Sequence, residues 1–172
     1  MTPNLGMIVD VVDEKNRVVS KAPRAAIFQE HLNFRTVHVV LVDRAGRFLL
    51  QRLSSNHPRN ANRLGSSAAG YLYAEESYFQ AAKRKLREEL RVAPRIRSIG
   101  QLQMIDEGSR KFVEVFVGAL RKQPTLADNL VAELVYMRPQ DLASLIRHDP
   151  SVFTPTFVAV YQHFEHRVLN DG

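Results

Sequence analysis

Two adjacent carboxylates, Glu88 and Glu89, are the residues of this 172-residue chain whose type and position most directly suggest chemistry. They lie near the end of the segment GYLYAEESYFQAAKRKLREELRV, which runs from Gly70 to Val92 and reads as a loop followed by a helix. Adjacent glutamates on a helix repel one another unless positive charge lies nearby. A divalent cation, which prefers oxygen ligands, would supply that charge, and so would neighbouring basic side chains.

Helical spacing brings a third position onto the face that carries these carboxylates. Residues 85, 88 and 89 are separated by three and four positions, and position 85 is a lysine. Lys85 and Glu89 form an i,i+4 pair, as do Arg84 and Glu88, and each pair contributes about 0.2–0.5 kcal/mol on an exposed helix. Two interpretations stay open: residual metal binding by the glutamates, or a set of ion pairs that neutralises itself without a metal.

The composition excludes several classes of function. The chain has no cysteine, which rules out disulfides, cysteine metal sites and thiol catalysis. His163 and His166 lie three residues apart in the last predicted helix, and without further ligands they read as surface residues. No apolar run approaches the ~20 residues that span a bilayer, and the N-terminus lacks the pattern of a secretory signal. We therefore expect a cytoplasmic protein with no membrane contact.

The net charge of +6 favours anionic partners through long-range attraction. A phosphorylated small molecule and a nucleic acid both suit this charge, and so does a basic surface that is merely solvated. The densest basic cluster lies in the helix that carries the carboxylates. No zinc-finger spacing and no aromatic RNA-binding motif is present, so no motif supports a nucleic-acid partner.

The position of the carboxylates is set by the surrounding strands and helices, which the hydrophobic pattern predicts. β-Branched and alternating segments predict a hairpin at residues 7–19 and strands at 36–43, 47–52, 98–105, 111–120 and 132–137. Helical spacing and helix-end signals predict helices at residues 23–30, 138–148 and 155–169, besides the helix with the carboxylates. A polar loop with turn-forming residues covers residues 53–67.

Clear signals mark the helix that carries the carboxylates. Ser77 is a good N-cap, and Gln80, three residues on, completes a capping box. Apolar residues at helical spacing predict one buried stripe, formed by Phe79, Ala82, Leu86 and Leu90. Before the helix, Gly70 is expected to allow a tight turn of the backbone.

The spacing in this segment resembles the signature of the Nudix hydrolase superfamily, which is Gly, five residues, Glu, seven residues, Arg-Glu, an aliphatic, any residue, Glu-Glu, any residue, Gly and an aliphatic. Seven of its nine specified positions match, namely Gly70, Glu76, Arg84, Leu86, Glu88, Glu89 and Val92. Lys85 stands where the family has a metal-binding Glu, and Arg91 stands where it has Gly. We interpret Arg91 as a local change of helix cap.

The resemblance implies an α/β fold, a Nudix-type α/β/α sandwich around a mixed β-sheet, with an N-terminal β-hairpin extension and C-terminal helices. The segments NFRTVHVVLVDRAGRFLLQR, VEVFVG and VAELVYMRPQDL are similar to the branch related to isopentenyl-diphosphate isomerase. A single domain is expected over residues 1–172, with the extension at 1–34, the Nudix core at 35–148 and the last helix at 149–172.

The resemblance also implies an activity, namely hydrolysis of a nucleoside-diphosphate-linked or other diphosphate compound with Mg²⁺ or Mn²⁺. The metal ligands would be Glu88, Glu89 and Glu76, although the helix dipole alone explains an acidic residue at position 76. The catalytic candidates are Glu88, Glu89 and Glu133, and the substrate-binding candidates are Arg52, Gly70 and Arg84. The alternative is a weakly active or inactive module that binds a phosphorylated ligand, RNA or a protein partner, and a homodimer is conceivable in either case.

Isomerase chemistry is not expected, because its residues are missing from the matching positions. Ala69 stands at the position of the isomerase cysteine, and Tyr71 and Phe34 stand at the positions of two metal-binding histidines. Glu114 is a further acidic residue in an apolar strand, where alternation places it on the face of Phe112 and Phe116. Whether that face lines a cleft or Glu114 pairs with an arginine stays open.

Overall fold

The computed structural model describes residues 6–170, with side-chain surroundings given through residue 167. The strands in this range are β1 Ile8–Val12, β2 Val18–Pro23, β3 Phe34–Val42, β4 Phe48–Leu53, β5 Leu64–Gly65, β6 Ala68–Tyr71, β7 Ile96–Asp106, β8 Ser109–Ala119 and β9 Val131–Met137. The helices are α1 Ala26–Gln29, α2 Tyr78–Leu90, α3 Pro139–His148 and α4 Pro155–Asn170, with a short 3-10 turn at Pro150–Val152. Each predicted strand and helix is present with shifted ends, and α1 is shorter than predicted.

Strands β5 and β6 were missed by the sequence prediction. They are built from leucine, glycine, alanine and a single tyrosine, so they lack the β-branched run that identifies a strand. Pairing with longer strands holds them in place, since β5 pairs with β4 and β6 pairs with β3. Tertiary contacts rather than local propensity therefore create these two strands.

The main sheet of the described residues has the order β5-β4-β3-β8-β7, with β9 added along β4 and β6 along β3. It is mixed, because β3 and β8 run parallel while the other pairs are antiparallel. The N-terminal hairpin, β1 with β2, forms a separate two-stranded sheet. The predicted mixed sheet and hairpin extension are confirmed.

Helices cover both faces of the main sheet, and side chains of β3 alternate between them. Val37, Val39 and Leu41 pack in a core with α2. Val40 and Val42 pack in a second core with α3 and α4. This arrangement of helix, sheet and helix is the predicted α/β/α sandwich.

Strand β3 changes its neighbour half-way along one edge. Leu41 and Val42 pair with β4, whereas residues 36–39 pair with β6. Ser67 lies at the branch point, fully buried, where its hydroxyl accepts a hydrogen bond from the Leu41 amide at 2.8 Å and donates one to the Leu49 carbonyl at 2.6 Å. The sheet therefore opens between β4 and β6 without leaving these backbone groups unpaired.

The capping box at the start of α2 is confirmed. The Gln80 amide donates to the Ser77 hydroxyl at 3.1 Å, and the Ser77 amide donates to the Gln80 side chain at 2.9 Å. Ala82, Leu86 and Leu90 form the buried stripe as predicted.

Phe79 was wrongly included in the buried stripe, since 47% of its surface is exposed. It lies in the first turn of α2, where its ring meets Phe116 of β8 at 6.0 Å between centroids and carries the Lys83 ammonium on another side. Spacing along a helix predicts which way a side chain points but not where the interface beneath it ends.

Arg91 closes α2 in the left-handed conformation, with φ 57° and ψ 32°, a region that costs a residue with a side chain about 1 kcal/mol. We therefore predict that Arg91→Gly raises the free energy of unfolding by about 0.5–1 kcal/mol, measured by urea denaturation at constant m value. The matched control is Arg87→Gly, which places glycine in the last turn of the same helix and should lower that free energy by about 1 kcal/mol. A loss of stability in Arg91→Gly would contradict this explanation.

Candidate functional site

A cleft of about 340 Å³ lies where the sheet opens between β4 and β6. This volume is within the range of small-molecule sites. Residues from both faces of the sheet line it, because the opening lets side chains from the α2 side and the α4 side reach one space. We call its two ends the α2 end, lined by Gly70, Arg84, Lys85, Glu88 and Glu89, and the α4 end, lined by Thr36, His38, Lys111, Thr154 and Thr156.

A lysine ammonium sits between the two adjacent carboxylates at the α2 end. Lys85 Nζ lies 3.0 Å from Glu89 Oε1 and 3.6 Å from Glu88 Oε2. The other oxygen of Glu89 accepts a hydrogen bond from Gln51 Nε2 at 2.6 Å, and the same amide nitrogen donates to the Ser67 carbonyl at 2.7 Å. Glu89 is thus buried and paired on both oxygens, while Glu88 is partly exposed to the cleft.

The pKa values of this pair reflect its burial. Burial opposes the charge on Lys85, but the carboxylate charge of Glu89, its hydrogen bond and the charge of Glu88 outweigh it, so the pKa of Lys85 is raised. Burial raises the pKa of Glu89, and the opposing pull of Lys85 and Gln51 does not cancel that effect. The ammonium is therefore held firmly in its charged form, and Glu89 takes up a proton more readily than an ordinary glutamate.

Gly70 was expected in a tight turn, and this prediction is wrong. It lies in strand β6, paired with Val37 of β3, and its backbone is not in the left-handed region. A Cβ atom there would meet Lys85 Cε at 2.6 Å and Cδ at 2.8 Å. Because position 70 has no side chain, the aliphatic part of Lys85 can cross the strand at this point.

Arg84 is fixed by acidic partners on either side. Its guanidinium makes two hydrogen bonds to Glu76, at 2.8 and 2.9 Å, and one to the Tyr71 carbonyl at 2.9 Å. Glu88 lies 3.3 Å from it. The guanidinium also lies 3.9 Å from the centroid of the Tyr73 ring. The structure thus places Glu76 behind Arg84, where it orients the guanidinium, and not among the residues that line the cleft.

The structure places Arg52 and Glu133 apart from the cleft lining. They face each other across strands β4 and β9 and form an exposed ion pair of 2.7 Å. Glu114 does not line the cleft either, and it accepts a hydrogen bond from Gln101 on the neighbouring strand at 2.9 Å. His163 and His166 lie exposed on α4. Of the acidic candidates, the structure brings only Glu88 and Glu89 into the described cleft.

The α4 end consists of residues that sequence analysis did not single out. His38 Nδ1 lies 2.7 Å from the Ser66 hydroxyl, and Lys111 Nζ donates to Asp106 at 2.7 Å and to Thr156 at 2.6 Å. One signal was available: Thr36 and His38 alternate with valines in a strand that otherwise reads as fully apolar. Polar residues at alternating positions of a buried strand point to one shared polar space.

Burial lowers the pKa of His38 to about 3, with a smaller contribution from the charge of Lys111. Burial also lowers the pKa of Lys111, although the hydrogen bond and charge of Asp106 counteract it. His38 is therefore a neutral hydrogen-bonding group near neutral pH. Asp106, 2.7 Å from the Lys111 ammonium, favours the charged form of that lysine.

The donor set at the α2 end is small for a metal site. No group of three His, Cys, Asp or Glu side chains within residues 6–170 is placed to hold an ion. Glu88 and Glu89 provide carboxylate oxygens, and Mg²⁺ is commonly bound by one or two carboxylates together with substrate phosphates and water. These two residues therefore fit an ion that binds together with a phosphate ligand. The ion would compete with the Lys85 ammonium for the carboxylates.

Comparison with known proteins identifies the family. The family model described as the NUDIX domain matches residues 32–157, which is most of the chain. The chain belongs to the Nudix family. An uncharacterised Nudix hydrolase of Escherichia coli, YfcD, is 26% identical over 137 residues, covering 79% of this chain and 76% of that protein. The predicted Nudix membership is thereby confirmed.

Two further comparisons describe how this Nudix chain resembles its relatives. An isopentenyl-diphosphate Delta-isomerase of Nocardia farcinica is 28% identical over 163 residues, covering 91% of this chain and 93% of that enzyme. Among solved structures, DR0079 from Deinococcus radiodurans superposes with a TM-score of 0.77 at 21% identity, covering 91% and 98% of the two chains. Within residues 6–170, no helix has the length and hydropathy that crossing a membrane would require.

The contact between Gly70 and Lys85 yields a stability prediction. Gly70→Ala should push the lysine chain aside, weaken its ion pair with the buried Glu89, and lower the free energy of unfolding at neutral pH by about 1–3 kcal/mol. The matched control is Gly65→Ala, also in the cleft lining, where the nearest atom to the new Cβ is Thr154 Cγ2 at 3.6 Å. Thermal and urea denaturation of both variants would measure the effect, and equal stability of the two would contradict it.

The buried His38 yields a prediction of pH dependence. Its pKa in the folded protein, about 3, lies below its ordinary value of 6.5, so the folded state binds this proton less well than the unfolded chain. The associated stability is present above pH 6.5 and is lost as the pH falls toward 3, by up to about 1.4 kcal/mol per pH unit. Between pH 7 and pH 4.5, His38→Gln should therefore lose less free energy of unfolding than the unaltered protein. Parallel curves for the two proteins would reject this assignment.

Proposed function

We propose that this protein hydrolyses a diphosphate compound, with a nucleoside-diphosphate-linked molecule as the substrate class. The observation that carries the proposal is the α2 end of the cleft, where Glu88 and Glu89 lie beside Arg84 and Lys85 within reach of one ligand. Carboxylates suit an ion and a reacting water, and the guanidinium suits phosphate oxygens. Membership of the Nudix family supports hydrolysis of diphosphates in general.

One structural neighbour has been solved with ADP ribose bound. The NUDIX domain of Shewanella oneidensis NrtR, solved in complex with ADP ribose, superposes with a TM-score of 0.62 at 19% identity, covering 79% of this chain and 88% of that one. A likeness at this identity supports the fold alone, so the ligand class is our inference. The net charge of +6 favours such an anionic ligand.

In this proposal Glu88 and Glu89 would hold Mg²⁺ or Mn²⁺ together with the substrate. The ion would supply charge neutralisation and a more acidic water. The protein's own residues bind and orient the ligand: Arg84, fixed by Glu76, donates to phosphate oxygens, and Lys85 adds a positive charge at the strand where Gly70 leaves room. A carboxylate of this pair would also accept the proton that water loses on attacking phosphorus.

The other candidate residues keep their predicted roles within this proposal. Glu133 would act as an additional base or ligand, and Arg52 as a phosphate contact, only after their ion pair separates. A homodimer and a nucleic-acid partner also stay predictions.

The second candidate function is a module that binds a phosphorylated ligand, RNA or a protein without turnover. The Lys85 ammonium favours it, because this group already neutralises both carboxylates that an ion would need. Titration with Mn²⁺ separates the two functions. Mn²⁺ binding that is lost in Glu88→Gln supports the hydrolase. If the protein binds no Mn²⁺, either alone or in the presence of a diphosphate ligand, the result supports the module.

Turnover itself provides the direct test. With a panel of nucleotide and sugar-nucleotide diphosphates in Mg²⁺ or Mn²⁺, we expect formation of the monophosphate products, at a rate that falls by on the order of 10²-fold or more in Glu88→Gln and Glu89→Gln. The matched control is Glu165→Gln, the same change on α4 away from the cleft lining, which should keep full activity.

Lys85→Glu extends this test to the departure from the family pattern. Restoring a carboxylate should increase Mn²⁺ affinity and, with it, the rate. Unchanged turnover in Glu88→Gln and Glu89→Gln would reject the assignment of these residues.

A further inference from the structure

Thr36 carries a hydroxyl that the protein leaves without a partner. The residue lies on β3 in the cleft lining with 6% of its surface exposed, and among the described residues its Oγ1 has no hydrogen bond. A buried hydroxyl without a partner costs about 1–3 kcal/mol. Valine would fit a strand position of this shape without that cost, so the hydroxyl suggests a ligand contact.

Thr36 faces away from the carboxylates. Val37, its neighbour on β3, packs toward α2 and pairs with Gly70, so alternation turns Thr36 to the opposite face of the sheet. Lys111 lies on the parallel neighbour β8, two residues before Val113, which is the direct partner of Thr36, so Lys111 shares this face. The cleft therefore contains two chemically separate ends joined through the opening in the sheet.

Cationic side chains lie around the α4 end. The Lys111 ammonium has three N–H donors, and its described contacts use two of them, to Asp106 and Thr156. Arg59 also pairs with Asp106 and, at 3.4 Å, with Glu107, so two cations and two carboxylates meet there. Arg24 lies at the rim of the same space, with its guanidinium 3.9 Å from the centroid of the Tyr71 ring.

The first turn of α4 adds partial positive charge to this end of the cleft. Thr154 and Thr156 at its start line the cleft, and the N-terminal end of a 16-residue helix carries partial positive charge. His38 adds a neutral hydrogen-bonding ring. The unpartnered Thr36 hydroxyl, the Lys111 ammonium and the helix N-terminus all supply hydrogen-bond donors or partial positive charge, which favours an anion over an apolar or cationic ligand group.

We propose that the α4 end of the cleft is an anion subsite that binds a second phosphate group of the ligand, through the Thr36 hydroxyl and the Lys111 ammonium. The proposal rests on the proposed function in one respect, namely that the phosphate belongs to the compound whose diphosphate lies at the α2 end. The substrate class narrows accordingly to diphosphate compounds that carry a further phosphate. Thr36 is then a specificity-determining residue.

The experiment is calorimetric titration with inorganic phosphate, without divalent metal, on the unaltered protein and on Thr36→Val. The unaltered protein should bind phosphate, and Thr36→Val should weaken this binding by about 10-fold or more, the effect of one hydrogen bond to a charged group. The same variant should raise the melting temperature by about 2–4 °C, because it removes the unpartnered hydroxyl. A stabilised protein that binds less well cannot be explained by misfolding.

Ser54→Ala is the matched control, since the Ser54 hydroxyl is also buried without a described partner but does not line the cleft. It should be stabilised in the same way and bind phosphate as the unaltered protein does. Lys111→Met should reduce phosphate binding as well. Absence of phosphate binding in the unaltered protein, or equal binding by Thr36→Val, would overturn the subsite.

Two further variants separate this proposal from the hydrolase. If Lys85→Met loses phosphate binding while Thr36→Val retains it, the anion binds at the α2 end and the subsite is overturned. Glu165→Gln, on α4 outside the cleft lining, should leave phosphate binding unchanged. Phosphate binding that depends on Thr36 in a protein without turnover would support the subsite and reject only the hydrolase.

Discussion

The buried ion pair between Lys85 and Glu89 is the interaction on which the arrangement of the cleft depends. A carboxylate in this position needs compensation, because unpaired charge in a protein interior is expensive. Lys85 provides it from one side and Gln51 from the other. The glycine at position 70 leaves room for the lysine chain to pass. Helix α2 and strand β4 therefore meet at one charged contact, beside strand β6.

This pair also explains how the chain departs from its family while keeping the family fold. Most positions of the Nudix signature are retained, and the helix packs on the sheet through a stripe that includes Ala82, Leu86 and Leu90. The lysine at position 85 replaces the negative charge of the family pattern with a positive one. Whatever ligand enters must therefore meet a cation that is part of the protein, in addition to any ion that it brings.

The sequence predicted the architecture well because its signals are local. The capping box of α2, the alternation in β3 and the apolar helix faces each need only a few neighbouring residues to be read. The spaced motif then predicted that the layers form a Nudix-type sandwich. Strands β5 and β6 escaped prediction because partner strands create them, and the true role of Gly70 escaped because it lies opposite a side chain fifteen positions later in the sequence.

The candidate site was predictable only in part, because some of its residues come together only through contacts between distant segments. Glu88 and Glu89 could be found because they sit in a motif, whereas Thr36 and Lys111 lie in strands and meet only through β3–β8 pairing. Arg52 and Glu133 neutralise each other at the surface. This ion pair likewise depends on the register of β4 and β9. Contacts between distant segments carry no local pattern, so the polar end of the cleft appeared only in the folded chain.

The shared edge of β3 has a mechanical consequence. Both walls of the opening are hydrogen-bonded to the same strand, and Ser67 ties them together at the branch. Two walls rooted in one strand cannot swing apart like domains on a hinge without breaking the ladder. Adaptation to ligands of different size must therefore come from side-chain rotation and from the loop of residues 54–63, while the backbone frame stays rigid.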